Sequence, residues 1–146
     1  MVKKKVLIVE DDLIVQMAIE QSVENVGCEV CAKVDTGELA IEQAKTLSPD
    51  LVLMDINLAG KIDGIEAAVK IHTELKIPVI YITVESNELM LRKAAFANPY
   101  GYLVKPYNDN DLWITLKMAL YRMYLEKRAN FRKDKQFDVG GETSED

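Results

Sequence analysis

A chain of 146 residues, 49% hydrophobic and 29% charged, is long enough for one domain with a real core and gives no sign of wholesale disorder. Its formal net charge of −6 works against non-specific attraction to nucleic-acid phosphates. No apolar run approaches the ~18 residues that a membrane span requires. The basic start Lys3-Lys4-Lys5 leads into an apolar run that breaks at Glu10-Asp11-Asp12, too short for a signal peptide, so the expectation is a cytoplasmic protein without membrane contact.

In chain order, apolar runs alternate with segments of helical period. Val6-Leu7-Ile8-Val9 is a continuous apolar run, the mark of a strand covered on both faces. A helix follows from about Leu13 to Val26, with Val15, Ile19, Ser22/Val23 and Val26 on its stripe and Gly27 closing it. Val30–Val34 is a second strand, and Asp35-Thr36-Gly37-Glu38 reads as a capping-box-like start for a helix carrying Ala40, Ile41, Ala44 and Leu47. After the turn Ser48-Pro49-Asp50, Leu51–Met54 is a third buried strand. A helix is predicted from about Gly64 to Leu75, a fourth strand over Pro78–Ile82, a helix from about Ser86 to Ala97, and a short fifth strand over Gly101–Val104. Asn108 or Asp109 then caps a long final helix. Five βα units with strands this apolar imply a parallel sheet covered on both faces and joined by right-handed crossovers. The expected fold is the flavodoxin-like doubly wound (βα)5 arrangement, strand order 2-1-3-4-5, with an extended C-terminal helix. Its ligand site belongs at the carboxyl ends of the strands, beside the switch point between strands one and three.

Polar residues gather at those ends. Strand one ends in Glu10-Asp11-Asp12, strand three in Asp55 followed by Asn57, strand four in Thr83, and strand five runs into Lys105-Pro106. A single such carboxylate is easily explained as a helix cap, and Asp12 suits that role. Four strand ends converging on carboxylates, a hydroxyl and a lysine are harder to dismiss. Carboxylates from adjacent strands repel one another unless protonated or bridged by a cation. A few hard oxygen ligands favour Mg2+, which keeps several waters and accepts a phosphate oxygen as a further ligand. Lys105 adds a second positive charge, Asp55 can act as a nucleophile that forms an acyl phosphate, and Thr83 offers a hydroxyl to a phosphoryl oxygen.

Over roughly residues 4 to 125 the sequence resembles the receiver domain of two-component response regulators. The likeness rests on Val6-Leu7-Ile8-Val9-Glu10-Asp11, Leu53-Met54-Asp55-Ile56-Asn57, Asp63-Gly64, Ile82-Thr83 and Gly101-Tyr102-Leu103-Val104-Lys105-Pro106. Each motif is modest, but their order and spacing are specific. The resemblance implies that Glu10 and Asp11 are the acid pair. Asp11, Asp55 and the main-chain carbonyl of Asn57 would hold the metal, with Glu10 acting partly through water. It further implies that Asp55 receives the phosphoryl group from a histidine on a sensor kinase or phosphotransfer protein and that Lys105 contacts it. Thr83 and Tyr102 would form a switch that alters the surface of the fourth helix, fifth strand and fifth helix. On its residues alone, Tyr102 reads as an ordinary half-buried strand aromatic.

The chain departs from the family pattern in three places. Leu58-Ala59-Gly60-Lys61-Ile62 lacks the usual proline after Asp55-Ile56-Asn57, and the segment to Gly64 is one residue longer. Val84 stands where a small residue is usual, which narrows access to the site. Asn57 and Glu85 flank the site as polar residues able to orient a hydrolytic water.

Other features are read as structural. Cys28 and Cys31 have redox-pair spacing, but residues three apart on a strand point to opposite faces and no second ligand pair accompanies them. His72 is expected to face solvent, and the basic stretch Lys127 to Lys135 to be a solvated helix face. In the final helix Leu112, Leu116, Ala119/Leu120 and Met123 form the core stripe. Ile114, Met118, Tyr121 and Leu125 form a second line, read equally well as a homodimer or docking surface and as scattered surface apolars. Residues 1–125 are taken as the receiver domain. Residues 126–146 are taken as a helical extension, to about Lys133, ending in a disordered acidic tail, and the residues after 125 are too few for a DNA-binding domain of ordinary size. The functional expectation is a phosphoacceptor, not a conventional enzyme, that signals to a downstream protein without binding DNA. The alternatives are a receiver module of a hybrid kinase, a degenerate receiver acting as a constitutive binding module, and a haloacid-dehalogenase-like phosphatase. The last is disfavoured because its nucleophile follows the first strand in an Asp-x-Asp motif, whereas Asp55 lies on the third and is followed by Asn57.

Overall fold

The computed structural model describes residues 3–58, 62–84 and 99–139, with side chains through residue 132. Its elements are β1 (Lys5–Val9), α1 (Leu13–Asn25), β2 (Glu29–Val34), α2 (Gly37–Leu47), β3 (Leu51–Asp55), α3 (Gly64–Leu75), β4 (Val79–Thr83), β5 (Gly101–Val104) and α4 (Asp109–Val139). All strand pairs are parallel and the sheet order is β2-β1-β3-β4-β5, the doubly wound order expected. The helix predicted over 86–97, residues 59–61 of the departing loop, Glu85, and the glycine pair and acidic end from residue 140 lie outside the described residues. No described helix is long and apolar enough to cross a membrane.

Strand side chains alternate between faces, so uninterrupted apolar strands build two cores. Leu7, Val9, Val52, Met54, Val79 and Tyr81 meet α2 and α3 on one face. Val6, Ile8, Leu51, Leu53, Ile80, Ile82 and Leu103 meet α1 and α4 on the other. Cys31 packs with the first cluster and Cys28 with the second, so the two free thiols lie on opposite faces of the sheet.

Helix ends follow local chemistry. Asp12 caps α1, its Oδ1 accepting from the amides of Ile14 at 2.9 Å and Val15 at 3.2 Å. Gly27, at φ +96°, turns the chain out of α1 in a conformation that favours glycine. At α2 only Thr36 caps, accepting from Leu39 N, and no reciprocal bond forms because position N3 is a leucine. Full capping boxes occur at α3, between Asp63 and Glu66, and at α4, between Asn108 and Asp111. Asn108, not Asp109, is therefore the cap of the final helix.

On α4, Leu112, Leu116 and Ala119 are buried, and Leu120 and Met123 are half-buried against the second core. The second line is exposed: Ile114 by 41%, Met118 by 68%, Tyr121 by 63% and Leu125 by 47%. Where the helix leaves the domain, Arg122 lies over the Tyr100 ring at 3.8 Å, donates to Glu126 at 3.1 Å and reaches the Pro99 carbonyl at 3.4 Å. Tyr100 OH donates to Glu126 as well.

Candidate functional site

Register places the site. Val9 pairs with Met54, Asp55 with Ile82, and Thr83 with Val104, so Glu10, Asp55, Thr83 and Lys105 emerge together at one edge of the sheet. Backbone bonds continue past the strands, from Glu10 N to Val34 O and from Lys105 N to Thr83 O, and fix these residues as firmly as ladder positions.

Lys105 Nζ donates to Glu10 Oε1 at 3.0 Å and to Asp55 Oδ2 at 3.3 Å. Asp55 is 3% exposed and Glu10 1%, so two carboxylates share one ammonium almost out of water. Burial pushes the Glu10 carboxyl up to about 7 and the charge of Asp55 adds to the rise, while the Asp12 amide and Lys105 pull against it. Burial draws the Lys105 ammonium down, but its hydrogen bond to Glu10 and the nearby carboxylates outweigh that and hold it above the ordinary lysine value. One ammonium thus stands between two buried carboxylates from neighbouring strands.

Asp11 stands exposed at the mouth. Oxygens of Glu10, Asp11 and Asp55 all lie within 4.8 Å of one another, a donor set that fits a hard divalent cation. The other carboxylate oxygen of Asp55, Oδ1, accepts from Asn57 N at 2.8 Å. The Asn57 side chain turns towards β4, where its Oδ1 accepts from Thr83 Oγ1 at 3.1 Å and Val84 N at 3.2 Å. Val84 is 57% exposed.

Tyr102 stands apart from the carboxylates. Its ring meets Tyr81 edge-on at 6.0 Å, and its hydroxyl is buried without a hydrogen-bond partner among the described residues. Tyr81 and Thr83 share a face of β4, and Tyr102 pairs with Tyr81, two residues before Thr83.

Gln16 escaped the sequence reading, as did the close approach that Gly64, read there only as part of a motif, permits. Gln16, on the inward line with Ile19 and Val23, is buried, and its Nε2 donates to the carbonyls of Glu10 at 3.0 Å and Val34 at 3.4 Å. It ties α1 to the strand end that carries the acid pair, and the signal for it was its 3-4 spacing with Ile19 and Val23. Gly64 allows α3 to approach β3, since a Cβ there would sit 2.3 Å from the Asp55 carbonyl oxygen and 2.5 Å from Ile56 Cα. His72 is half-buried rather than solvent-facing, with Nδ1 buried and unpaired among the described residues. It lies on α3, away from the strand ends.

The family profile described as the response regulator receiver domain matches residues 6–117. The transcriptional regulatory protein PdtaR of Mycobacterium tuberculosis is 32% identical over 83% of this chain and 58% of its own length. The chemotaxis protein CheY of Thermotoga maritima is 33% identical over 73% of this chain and 89% of its own. Among solved structures, the signal receiver domain of a modulated diguanylate cyclase from Desulfovibrio desulfuricans G20 is 34% identical, with a TM-score of 0.79. That match covers 86% of this chain and 99% of that one. The chain spans less than three-fifths of the length of several of its regulatory relatives. The profile match, the sheet order and the placement of the acidic residues agree, and the chain belongs to the response regulator receiver domain family.

Proposed function

We propose that this chain is a phosphoacceptor that takes a phosphoryl group from a histidine of a sensor kinase or phosphotransfer protein onto Asp55. The observation that carries this reading is the Asp55 carboxylate, buried yet held between Lys105 Nζ and Asn57 N beside Glu10 and Asp11. In the transfer an Asp55 oxygen attacks phosphorus, a P–O bond forms and the P–N bond to the donor imidazole breaks. Lys105 meets the charge on the incoming group, and Thr83 donates its hydroxyl to a phosphoryl oxygen. Asp11, Asp55 and the Asn57 carbonyl, with Glu10 behind them, suit Mg2+, which when bound supplies charge neutralisation to the transferring group.

The donor has to come close, because Asp55 is nearly closed to solvent. Leu13, Ile14 and Met17 are exposed on the first turns of α1, directly after Asp11 and Asp12, and give a docking partner an apolar rim. Output runs through protein contact. Thr83 and Tyr102 sit on neighbouring strands, and beyond β5 the exposed Ile114, Met118, Tyr121 and Leu125 of α4 offer a surface to a downstream protein or a second copy. Residues 1–125 act as the receiver and 126–146 as an appendage.

Incubation with Mg2+ and acetyl phosphate tests the reading by intact mass. Wild type is expected to gain one phosphoryl group and Asp55→Asn none. Turnover of external phosphomonoesters favours the phosphatase alternative, and no modification of either protein overturns the proposal.

A further inference from the structure

The backbone amide of Asn57 serves Asp55, but its side chain serves different groups. Asn57 Oδ1 accepts from the Thr83 hydroxyl at 3.1 Å and from the Val84 amide at 3.2 Å. Two donors from consecutive residues aimed at one oxygen make a small cradle for a negatively polarised atom. It lies at the end of β4, whose Ile82 pairs with Asp55, so it opens beside the phosphoryl-accepting carboxylate. Its present occupant is a neutral carboxamide oxygen of the chain itself.

A phosphoryl group on Asp55 brings three charged oxygens to the same place, each a stronger acceptor than an amide oxygen. The Val84 N–H is a single donor with a fixed direction, and the Thr83 hydroxyl has only one proton to give. Strong bonds from this pair to Asn57 and to a phosphoryl oxygen therefore exclude each other. We infer that the Asn57 side chain is an internal stand-in for a phosphoryl oxygen, a latch that holds Thr83 and Val84 at rest and is displaced when Asp55 is modified. Asn57 is thus a positioning residue twice over. Its main chain orients the acceptor carboxylate, and its side chain sets how strongly the switch resists engagement. The inference rests on Asp55 being the phosphoacceptor and adds a competition that phosphorylation must win.

Beryllofluoride with Mg2+, added to the full chain and followed by amide NMR, tests it. In wild type the Val84 amide and the Asn57 side-chain NH2 signals are expected to shift together on saturation, as the cradle changes occupant. Asn57→Ala keeps the main-chain groups and removes the latch. In this variant Val84 N–H is expected to exchange faster at rest, to reach the wild-type shift when bound, and beryllofluoride to bind roughly 3- to 10-fold tighter, since the two bonds to Asn57 no longer compete. Equal or weaker binding by the variant, or an Asn57 side-chain signal that does not move in wild type, overturns the latch while leaving Asp55 as acceptor. The wild-type arm stands even where the variant fails to fold. If wild type binds no beryllofluoride, the phosphoacceptor reading falls and the latch with it.

Discussion

At the scale of single residues, the site is an exercise in sharing too little charge. Lys105 Nζ is the cation that the described residues show beside Glu10 and Asp55, and its side chain is 22% exposed, which softens but does not remove the cost of losing it. Lys105→Met is expected to lower stability by roughly 1–3 kcal/mol, because two buried carboxylates lose their counter-charge. It should also slow phosphoryl uptake from acetyl phosphate at least tenfold; urea denaturation and the rate of mass gain check the two effects. Gly64 offers a steric test. Alanine there would press its Cβ on the Asp55 carbonyl and Ile56 Cα, both main chain, so β3 or α3 must shift. A loss of roughly 2–3 kcal/mol in urea is expected, and an unchanged midpoint would mean that the two elements separate freely.

At the scale of elements, the sequence marked the starts of helices better than their partners. Asp12 reads as a cap from its place after a strand, and the structure gives it that role. Asp35-Thr36 has the composition of a box, but the box needs a polar acceptor three residues after the cap, and Leu39 is not one. Asp63 and Asn108 each have the reciprocal acid, at Glu66 and Asp111. Asp63→Ala and Asn108→Ala are each expected to cost roughly 1 kcal/mol, and Thr36→Ala somewhat less because no reciprocal bond is lost with it. Equilibrium denaturation of the three variants checks the ranking. The helix stripes taught a similar lesson. Val15 reads as an inward residue of α1 and is half-buried against the second core, yet Gln16 is more deeply buried, its side-chain amide meeting two strand-end carbonyls. An apolar count cannot anticipate a polar group whose partners lie on other elements.

At the scale of the whole molecule, α4 runs on past the core, and Arg122, Tyr100 and Glu126 fix its direction where it departs. The exposed line from Ile114 to Leu125 is continuous along this helix, and we expect a concentration-dependent dimer in sedimentation that Met118→Glu with Leu125→Glu abolishes. A wild type that remains monomeric throughout the concentration range leaves the line to a different protein. The strands, their order and the gathering of Glu10, Asp55, Thr83 and Lys105 at one edge were legible in the sequence, because continuous apolar runs and polar strand ends are local patterns that a parallel sheet brings together directly. What joins those residues was not legible. That Lys105 splits its bonds between Glu10 and Asp55, that Gly64 lets α3 lie against β3, and that the Asn57 amide oxygen reaches the donors of Thr83 and Val84 are matters of distance between elements. Sequence by itself determined which atoms are available for the chemistry; only the packed sheet decided which of them already hold one another at rest, because hydrogen bonds and ion pairs depend on a few tenths of an ångström that no spacing along the chain encodes.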